Sequence, residues 1–325
     1  KNWTNTAANI PDLPKGLWVS HVEPSHFDRN TCYVTIDGHK SGDKATYVYK
    51  TSDLGNTWTS IVTDEIEGYA HAIIEDVEKS SLLFLGTEFG LHISLDGGMS
   101  WKRFENGIPP KVSVRMMAIQ ARESALVIAT HGRGIYIIDD ISLLRAITPE
   151  VANATLHFFE QDPILIKYGR LTAPFGGAGN FRGANPSGAT AITYFMKKRH
   201  TFGKMTASLF DGAGNHIKDL PAGKSAGINI INIPIRLPLP KSAPTMNRTA
   251  LGGSLTPPTL AEGDYILKIK KGKQTYETGF QIMAEPSIIY SATDRKLAHQ
   301  TQMDLYNMTE QLGYLYQALG EMSAA

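Results

Sequence analysis

The 325-residue sequence has little of several features that usually mark the class of a protein. It contains a single cysteine, Cys32, which excludes an internal disulfide and a zinc site built from several cysteines. Lysine and arginine number 32 and aspartate and glutamate 31, so no strong field attracts nucleic acid or an anionic membrane. The apolar runs have the length of strands, and no transmembrane helix is predicted. These absences leave a globular protein long enough for two domains.

An eight-residue motif occurs twice, as TSDLGNTW at 51–58 and as SLDGGMSW at 94–101. Both copies have Ser or Thr first, Asp third, Gly fifth, Ser or Thr seventh and Trp eighth. β-forming residues flank each copy, which predicts a hairpin turn. In such a turn Asp binds backbone N–H groups two residues on, Gly supplies a positive φ, and Trp fills a gap between sheets. We predict structural roles for the repeated positions: Asp53, Gly55, Thr57, Trp58, Asp96, Gly98, Ser100 and Trp101.

The segments around the two motifs form a longer repeat. Four short β-forming runs lie between residues 18 and 62, four more between 70 and 105, and three more between 114 and 140. Units of roughly 40–50 residues with four strands are typical of β-propeller blades. Three units do not close a propeller, which typically has about four to eight blades. The sequence predicts an all-β fold that starts with a partial propeller, the last three or so blades, over 1–150.

The first residues, Lys1-Asn2-Trp3, align with the end of a third copy of the motif. We therefore expect the chain to begin inside a repeat and to be part of a longer protein. Open propeller edges recruit other strands. The expected partners are the upstream propeller blades, or another chain that completes the propeller.

The eight-residue motif resembles the Asp-box, or BNR repeat, of sialidase-like and VPS10/sortilin-like propellers. Segments 13–25 (LPKGLWVSHVEPS), 82–101 (LLFLGTEFGLHISLDGGMSW) and 129–141 (ATHGRGIYIIDDI) are similar to the last blades of large bacterial Asp-box proteins, which are often labelled glycosyl hydrolases. The resemblance covers residues 1 to about 145 and extends more loosely beyond. It implies an extracytoplasmic location, which means secreted, periplasmic or at the cell surface.

The periodicity changes near residue 150. Seven or eight short β-forming runs follow up to residue 287, with turn sequences at 211–215 (DGAGN) and 270–274 (KKGKQ). This pattern predicts an immunoglobulin- or fibronectin-like β-sandwich over 151–287. A glycine-rich insertion at 169–188 lacks the spacing of a dinucleotide-binding loop, so no cofactor is predicted. A second insertion, at 238–263, is rich in Pro, Thr and Ser.

The C-terminal residues, 288–325, have the pattern of an amphipathic helix. Ser291 and Asp294 form a capping-box sequence at its start. Apolar residues then recur at alternating intervals of three and four, a stripe made of Leu305, Met308, Leu312, Leu315, Leu319 and Met322. The stripe fits two structures, a helix docked on its own sandwich and a partner-binding or coiled-coil helix.

Four residues in the first half are candidates for catalytic groups: Asp37, Glu88, His131 and Arg133. Glu88 has the chemistry of a general acid, although a single carboxylate at a strand end is also an ordinary turn partner. His131 and Arg133 lie between bends that glycine permits, and they are expected to tie the last strands together at the centre of the propeller. The loop DGHKSGD offers Asp37, His39 and Asp43 as ligands for a divalent metal, with a solvated loop as the alternative.

Two functions of different class remain open. A glycosidase needs two facing carboxylates, and a sialidase needs an arginine cluster with a Tyr–Glu pair; neither set is complete in this sequence. We expect a non-enzymatic binding or scaffold module that presents its surfaces to protein or glycan partners. The alternative is a glycoside hydrolase whose catalytic carboxylates lie partly upstream of Lys1.

Overall fold

The structure, a computed structural model, describes residues 4–166, 189–243 and 257–324. The chain divides into two compact units, Lys1–Glu150 and Val151–Ala325. The described residues form mostly antiparallel β-sheets and one long C-terminal helix. Lys1-Asn2-Trp3, the insertion at 169–188 and part of the insertion at 238–263 lie outside the described residues.

The described residues of the first unit form three antiparallel sheets, and the strands of each sheet pair in chain order. The first sheet consists of β1 (Trp18–Pro24), β2 (Cys32–Asp37), β3 (Tyr47–Thr51) and β4 (Thr59–Ser60). The second sheet consists of β5 (Ala70–Glu75), β6 (Leu83–Thr87), β7 (Gly90–Ser94) and β8 (Lys102–Phe104). The third sheet consists of β9 (Val114–Gln120), β10 (Ala125–Thr130) and β11 (Ile135–Ile138). The predicted repeat of β-forming runs therefore corresponds to a repeat of sheets.

The second sheet is covered on both faces. Ile73, Leu83 and Leu85 pack against the first sheet, in a cluster that contains Tyr33 and Val48. The opposite face packs against the third sheet in a separate cluster, which includes Phe84, Leu91, Ile93, Met117, Leu126 and Ile128. Strands whose two faces are both buried carry apolar residues continuously, and all residues of β5, β6 and β7 are buried.

Both copies of the eight-residue motif form turns with the same hydrogen bonds. In the first copy, the N–H of Gly55 donates to Thr51 Oγ1 at 2.9 Å, and Thr51 Oγ1 donates to Asp53 Oδ1 at 2.8 Å. Thr57 donates to the Asp53 carboxylate twice, from its N–H at 2.9 Å and from its hydroxyl at 2.7 Å. The Asp side chain thus accepts from a residue four positions on, where the sequence predicted two.

The second copy repeats this network. Ser94 Oγ accepts from the N–H of Gly98 at 2.8 Å and donates to Asp96 Oδ1 at 2.8 Å. Ser100 donates to Asp96 from its N–H at 2.8 Å and from its hydroxyl at 2.5 Å. Gly98 has φ +95°, and the equivalent Gly55 has φ +83°, so both positions require the left-handed conformation that glycine adopts without strain.

The two tryptophans of the motif differ in their surroundings. Trp101 is fully buried among side chains of the first and second sheets, and its Nε1 donates to the carbonyl of Ile61 at 2.8 Å. Trp58 is half-buried beside the core of the first sheet, and its buried Nε1 has no hydrogen-bond partner among the described residues. The same motif residue therefore fills an intersheet gap in one copy and a looser site in the other.

Two short helices, which the sequence analysis did not predict, follow the third sheet: α1 (Ser142–Ala146) and α2 (Pro149–Asn153). Arg145 of α1 pairs with Asp76, whose side chain is fully buried, through two nitrogens at 2.8 and 2.9 Å. The ammonium of Lys79 donates to the carbonyls of Arg145 and Ile147. These bonds attach α1 to the end of β5.

The described residues of the second unit form two sheets. The smaller sheet has the order β12 (His157–Phe158), β14 (Ala189–Met196) and β17 (Gly227–Pro234). The larger has the order β13 (Ile164–Ile166), β19 (Gln274–Ala284), β18 (Gly263–Lys271), β15 (Met205–Asp211) and β16 (His216–Leu220). Its β13 and β19 are parallel and the other neighbours antiparallel. One core cluster joins both sheets, with Tyr194 and Ile231 from the smaller and Leu209, Leu267 and Ile269 from the larger.

The C-terminal helix α3 (Ala292–Ala324) begins as predicted. The N–H of Asp294 donates to Ser291 Oγ at 3.1 Å, and Ser291 Oγ donates back to the Asp294 carboxylate at 2.6 Å. The apolar stripe is exposed, from 60% at Leu305 to 76% at Met322. The first of the two alternatives, in which the helix docks through this stripe on the predicted sandwich, is therefore wrong. No helix in the described part of the chain is both long and apolar enough to cross a membrane.

Candidate functional site

The first strand of each sheet in the first unit has a β-bulge at the same place. The register shifts between Val19 and His21 in β1, between Ala70 and Ala72 in β5, and next to Val114 in β9. The unpaired residues are Ser20, His71 and Arg115. A bulge aims a side chain away from the regular alternation of its strand. Three equivalent bulges therefore present three different polar groups from neighbouring strands.

The residue at this end of the second strand is equivalent in all three sheets: it is the last residue of β2, and the residue immediately after β6 and after β10. The N–H of Glu88 donates to the carbonyl of Tyr69 at 3.1 Å, and the N–H of His131 donates to that of Ser113 at 2.9 Å. In the first sheet, Asp37 pairs with Trp18 at the same point. Three of the predicted candidates therefore occupy one structural position: Asp37, Glu88 and His131.

His71 is at the centre of this end of the first unit, with a side chain that is only 4% exposed. Its Nδ1 lies 3.3 Å from Nη1 of Arg115, and because a guanidinium only donates, Nδ1 accepts. The proton of the neutral ring is therefore on Nε2, which donates to Glu88 Oε2 at 3.0 Å. Ser113 Oγ donates to the same carboxylate oxygen at 2.9 Å.

The electrostatics of this pair favour a neutral histidine beside an ionised carboxylate. Burial lowers the pKa of His71, and it outweighs the hydrogen bond with Glu88, which acts in the opposite direction. Burial alone would raise the pKa of Glu88, but hydrogen bonds from His71, Ser113 and Tyr69 outweigh it and the pKa is lowered. Glu88 is therefore ionised at neutral pH and holds no proton to donate as a general acid.

Asp37 and His39 extend the network. Both carboxylate oxygens of Asp37 lie 2.7 Å from His39 Nδ1, and one of them lies 3.9 Å from Nδ1 of His71. The ring of His39 stacks on that of Tyr69, with centroids 5.0 Å apart. Tyr69 in turn meets the edge of His71 at 5.1 Å. The strand ends of the first two sheets are thus joined by one continuous polar and aromatic cluster.

A cavity of about 310 Å³ opens beside this cluster. Its lining includes Trp18, Ser20, Asp37, Lys40, His71 and Arg115. The volume is at the lower end of the range for small-ligand sites, roughly 300–1,000 Å³. Trp18 is 58% exposed, and the ammonium of Lys40 lies 4.1 Å from the centre of its ring. Apart from its contacts to His71 and Glu88, Arg115 has no partner among the described residues, so further N–H groups remain for a ligand.

The structure does not unite the proposed metal ligands. His39 bonds Asp37, whereas the oxygens of Asp43 accept from the hydroxyl of Tyr47 at 2.8 Å and from the N–H of Ala45 at 2.9 Å. In the described ranges, no group of three or more His, Cys, Asp and Glu side chains is placed to hold a metal ion.

His131 and Arg133 are exposed, and within residues 4–166 neither side chain makes a hydrogen bond or an ion pair. His131 joins the last strands only through its backbone N–H, which donates to Ser113, and the side-chain tie comes from Thr130 instead. Its hydroxyl donates to the carbonyl of Gly134 at 2.6 Å. The third sheet therefore contributes Ser113 and Arg115 to the cluster, and not the two predicted residues.

Sequence reasoning missed several residues of the cluster, among them Ser20, Tyr69, His71, Ser113 and Arg115. One signal could have identified three of them. When Val19, Ala70 and Val114 are aligned as the same position of the repeat, Ser20, His71 and Arg115 fall in one column. The bulges themselves depend on the pairing register, which has no short sequence signature.

No family model matches this sequence, and no curated protein matches it. Among solved structures, the chain is similar to a GH74 enzyme of Niastella koreensis at 23% identity, over 38% of this chain and 21% of that one, with a TM-score of 0.33. The GH74 xyloglucanase of Xanthomonas campestris is 12% identical over 82% of this chain and 38% of that one, with a TM-score of 0.31. The structure of YCF48 bound to D1 peptide is 14% identical over 39% of this chain and 42% of that one, with a TM-score of 0.26.

These values describe a distant structural resemblance to β-propeller proteins of the GH74 and YCF48 kind. The chain spans about a fifth to two fifths of the length of these structures. A likeness this distant carries no information about activity or ligand.

Proposed function

We propose that this chain is an extracytoplasmic binding or scaffold module, part of a larger protein or assembly, that presents its surfaces to glycan or protein partners. In this proposal the first unit supplies the last blades of an Asp-box propeller of the sialidase-like and VPS10/sortilin-like kind. The second unit is an immunoglobulin- or fibronectin-like sandwich. The extracytoplasmic location rests on the resemblance of the Asp-box sequences.

One observation carries the binding function. Three sheets place a bulge at the same point of their first strands, and the bulged residues Ser20, His71 and Arg115 line one cavity. A bulge interrupts the ladder, so its repetition beside a cavity favours a site over a packing defect. The exposed ring of Trp18 and the remaining donors of Arg115 are the kinds of group that bind a sugar or a peptide.

The binding experiment compares Arg115 of β9 with Arg122 of the turn that follows β9. The full chain is tested on arrays of immobilised glycans and peptides, together with Arg115→Ala and Arg122→Ala. Arg122 is the control because its side chain is 81% exposed and pairs only with Glu123 in the described part of the chain. We expect a ligand whose binding weakens about tenfold or more in Arg115→Ala, as for a lost charge-assisted hydrogen bond. Equal binding by both variants would contradict a role of the cavity in ligand binding.

A second observation supports the larger assembly. In the second sheet, Leu91 and Ile93 are buried beneath the third sheet. The equivalent residues of the third sheet, Ile135 and Ile137, are 70% and 58% exposed, and Met116 beside them is 61% exposed. A contiguous apolar face of this kind marks an interaction surface. We propose that a further sheet of the same repeat covers it, supplied by the rest of the propeller or by another chain.

Light scattering tests this apolar face. We expect the isolated chain to associate, and Ile137→Lys to reduce the association. His131→Lys, at an exposed position of the hairpin loop of the same sheet, is the control, because it adds the same charge outside the apolar face. A wild-type chain that stays monomeric at high concentration would contradict the proposed covering sheet.

The alternative function is a glycoside hydrolase, and the observation in its favour is the pair of carboxylates on either side of His71. A hydrolase of this type needs one carboxylic acid with a raised pKa, and the pKa of Glu88 is lowered. Glu88 therefore does not supply that acid, and the cavity lined by the three bulged residues makes the binding module the preferred function. Release of reducing ends from a bound glycan, lost in Glu88→Gln and retained in Glu123→Gln, would establish the hydrolase instead.

A further inference from the structure

The C-terminal helix α3 uses two opposite faces differently. The less exposed residues recur along one side, at Arg295, His299, Met303, Tyr306, Thr309, Glu310 and Gly313. At 100° per residue, these positions centre roughly 150° away from the apolar stripe of Leu305, Met308, Leu312, Leu315, Leu319 and Met322. The side that contacts the second unit is therefore mainly polar, and the apolar side faces away from it.

The polar side is fixed by specific contacts. Arg295 forms a two-nitrogen ion pair with Glu262, at 2.6 and 2.9 Å. Farther along, Gly313 allows close approach of the backbone at Lys241, since a Cβ on Gly313 would lie 2.5 Å from the carbonyl oxygen of Lys241. The ammonium of Lys241 bonds Gln317 and lies 4.5 Å from the ring centre of Tyr314. Because these contacts position the helix, the stripe is not free to turn inward without breaking them.

The spacing of the stripe indicates which partner fits it. Its six residues recur at intervals of three, four, three, four and three, which is the a/d pattern of a coiled coil. A stripe with this 3.5-residue period stays in contact along its length with a partner that is itself a helix, because the two helices supercoil together. A helix that packs against a sheet or a globular surface follows the 3.6-residue period and a wider apolar face.

The flanking residues permit self-association. Beside the stripe, at the positions that face a partner helix across the seam, the side chains are Asp304, Thr309, Gln311, Tyr316, Ala318 and Ser323. One of the six is charged, so two copies bring no row of like charges together. A partner selected by charge would require complementary charges at these positions, and they are nearly absent. This favours a second copy of the same helix over a helix of a different protein.

We infer that α3 pairs with α3 of a second copy of this chain through the Leu305–Met322 stripe and forms a short coiled coil. This interface is separate from the apolar face of the third sheet and does not depend on the proposed function. Three heptads give a modest contact, so the pairing is concentration-dependent in the isolated chain.

The experiment measures molar mass against concentration for the full chain in an Ile137→Lys background, which suppresses association through the third sheet. We expect a dimer at high concentration. Leu312→Glu places a charge in the middle of the stripe and should give a monomer. Asn307→Glu is the matched control, since it introduces the same charge at an exposed position outside the stripe and outside the residues that flank it, and it should remain a dimer.

Leu312 is 60% exposed, so its replacement should leave the thermal unfolding of a monomer unchanged. A second measurement uses cysteine variants in a Cys32→Ser background. If the two helices are parallel, Leu312→Cys alone should form an interchain disulfide after mild oxidation. If they are antiparallel, the disulfide should form when Leu312→Cys is mixed with Leu315→Cys. A wild-type monomer at all concentrations would overturn the inference, as would association that Leu312→Glu does not change. Dimerisation only after addition of another protein would also overturn it, because a second copy would then not be the partner.

Discussion

Replacement of the motif tryptophans by phenylalanine tests the origin of stability in the first unit. Trp101 is fully buried, and its Nε1 donates to the carbonyl of Ile61. In Trp101→Phe that carbonyl loses its donor, at a cost of about 1–3 kcal/mol. The smaller ring leaves a cavity of roughly 40 Å³, which adds about 1 kcal/mol at about 24 cal/mol per Å³. We expect a total loss of about 2–4 kcal/mol in the free energy of unfolding.

Trp58→Phe is the matched control, since it makes the same change at the same position of the motif. The buried Nε1 of Trp58 has no hydrogen-bond partner among the described residues, and the ring is half-buried. Removal of this N–H relieves an unsatisfied donor, so the lost packing is partly offset. We expect a change within about 1 kcal/mol. The two variants therefore distinguish the stability that comes from the motif position itself from the stability that comes from the surroundings of each tryptophan.

The assay is urea unfolding followed by tryptophan fluorescence. All four tryptophans of the chain, Trp3, Trp18, Trp58 and Trp101, precede residue 150, so the signal reports on the first unit alone. Each variant keeps three of them. Equal losses of stability in Trp101→Phe and Trp58→Phe would refute the reasoning, because the motif position would then matter and the hydrogen bond to Ile61 would not.

Three further predictions concern the first unit. Burial alone would raise the pKa of Asp96, but hydrogen bonds from Ser100 and Ser94 outweigh it and hold that pKa below its ordinary 3.8. The ionised Asp96 therefore stabilises the fold fully above pH 3.8, and this stabilisation is lost as the pH falls through the lower pKa of the folded state. Acid titration of the unfolding midpoint should show this loss, and Asp96→Asn should lack it. Gly86→Ala places a Cβ 2.7 Å from the Val114 carbonyl oxygen and should cost about 1–3 kcal/mol in urea unfolding. Asp76→Ala leaves Arg145 without its buried partner and should cost about 3–5 kcal/mol in the same assay, whereas a neutral effect would show that Glu78 replaces it.

Local sequence determined the turns and the strands. The Asp-box residues form their turn from side chains and backbone within eight positions, so the motif could be recognised without knowledge of the fold. The same holds for the start of α3, where Ser291 and Asp294 bond each other and the backbone. The strands of the first unit follow apolar runs because each sheet packs its side chains against a neighbouring sheet.

Tertiary structure decided which polar residues meet. The sequence singled out Asp37 and Glu88, but their common partner His71 was indistinguishable from any histidine in a buried strand. The bulges that aim His71 and Arg115 at one cavity arise from the pairing register between strands, and a register is a property of two strands together.

The same reason explains the helix. Its apolar stripe was readable from spacing, but spacing alone does not say which side of a helix meets its own domain. That choice was made by the ion pair of Arg295 with Glu262 and by the close approach of Gly313 to Lys241, contacts between residues far apart in sequence. Periodicity describes one element, whereas orientation depends on the energies of contacts between elements.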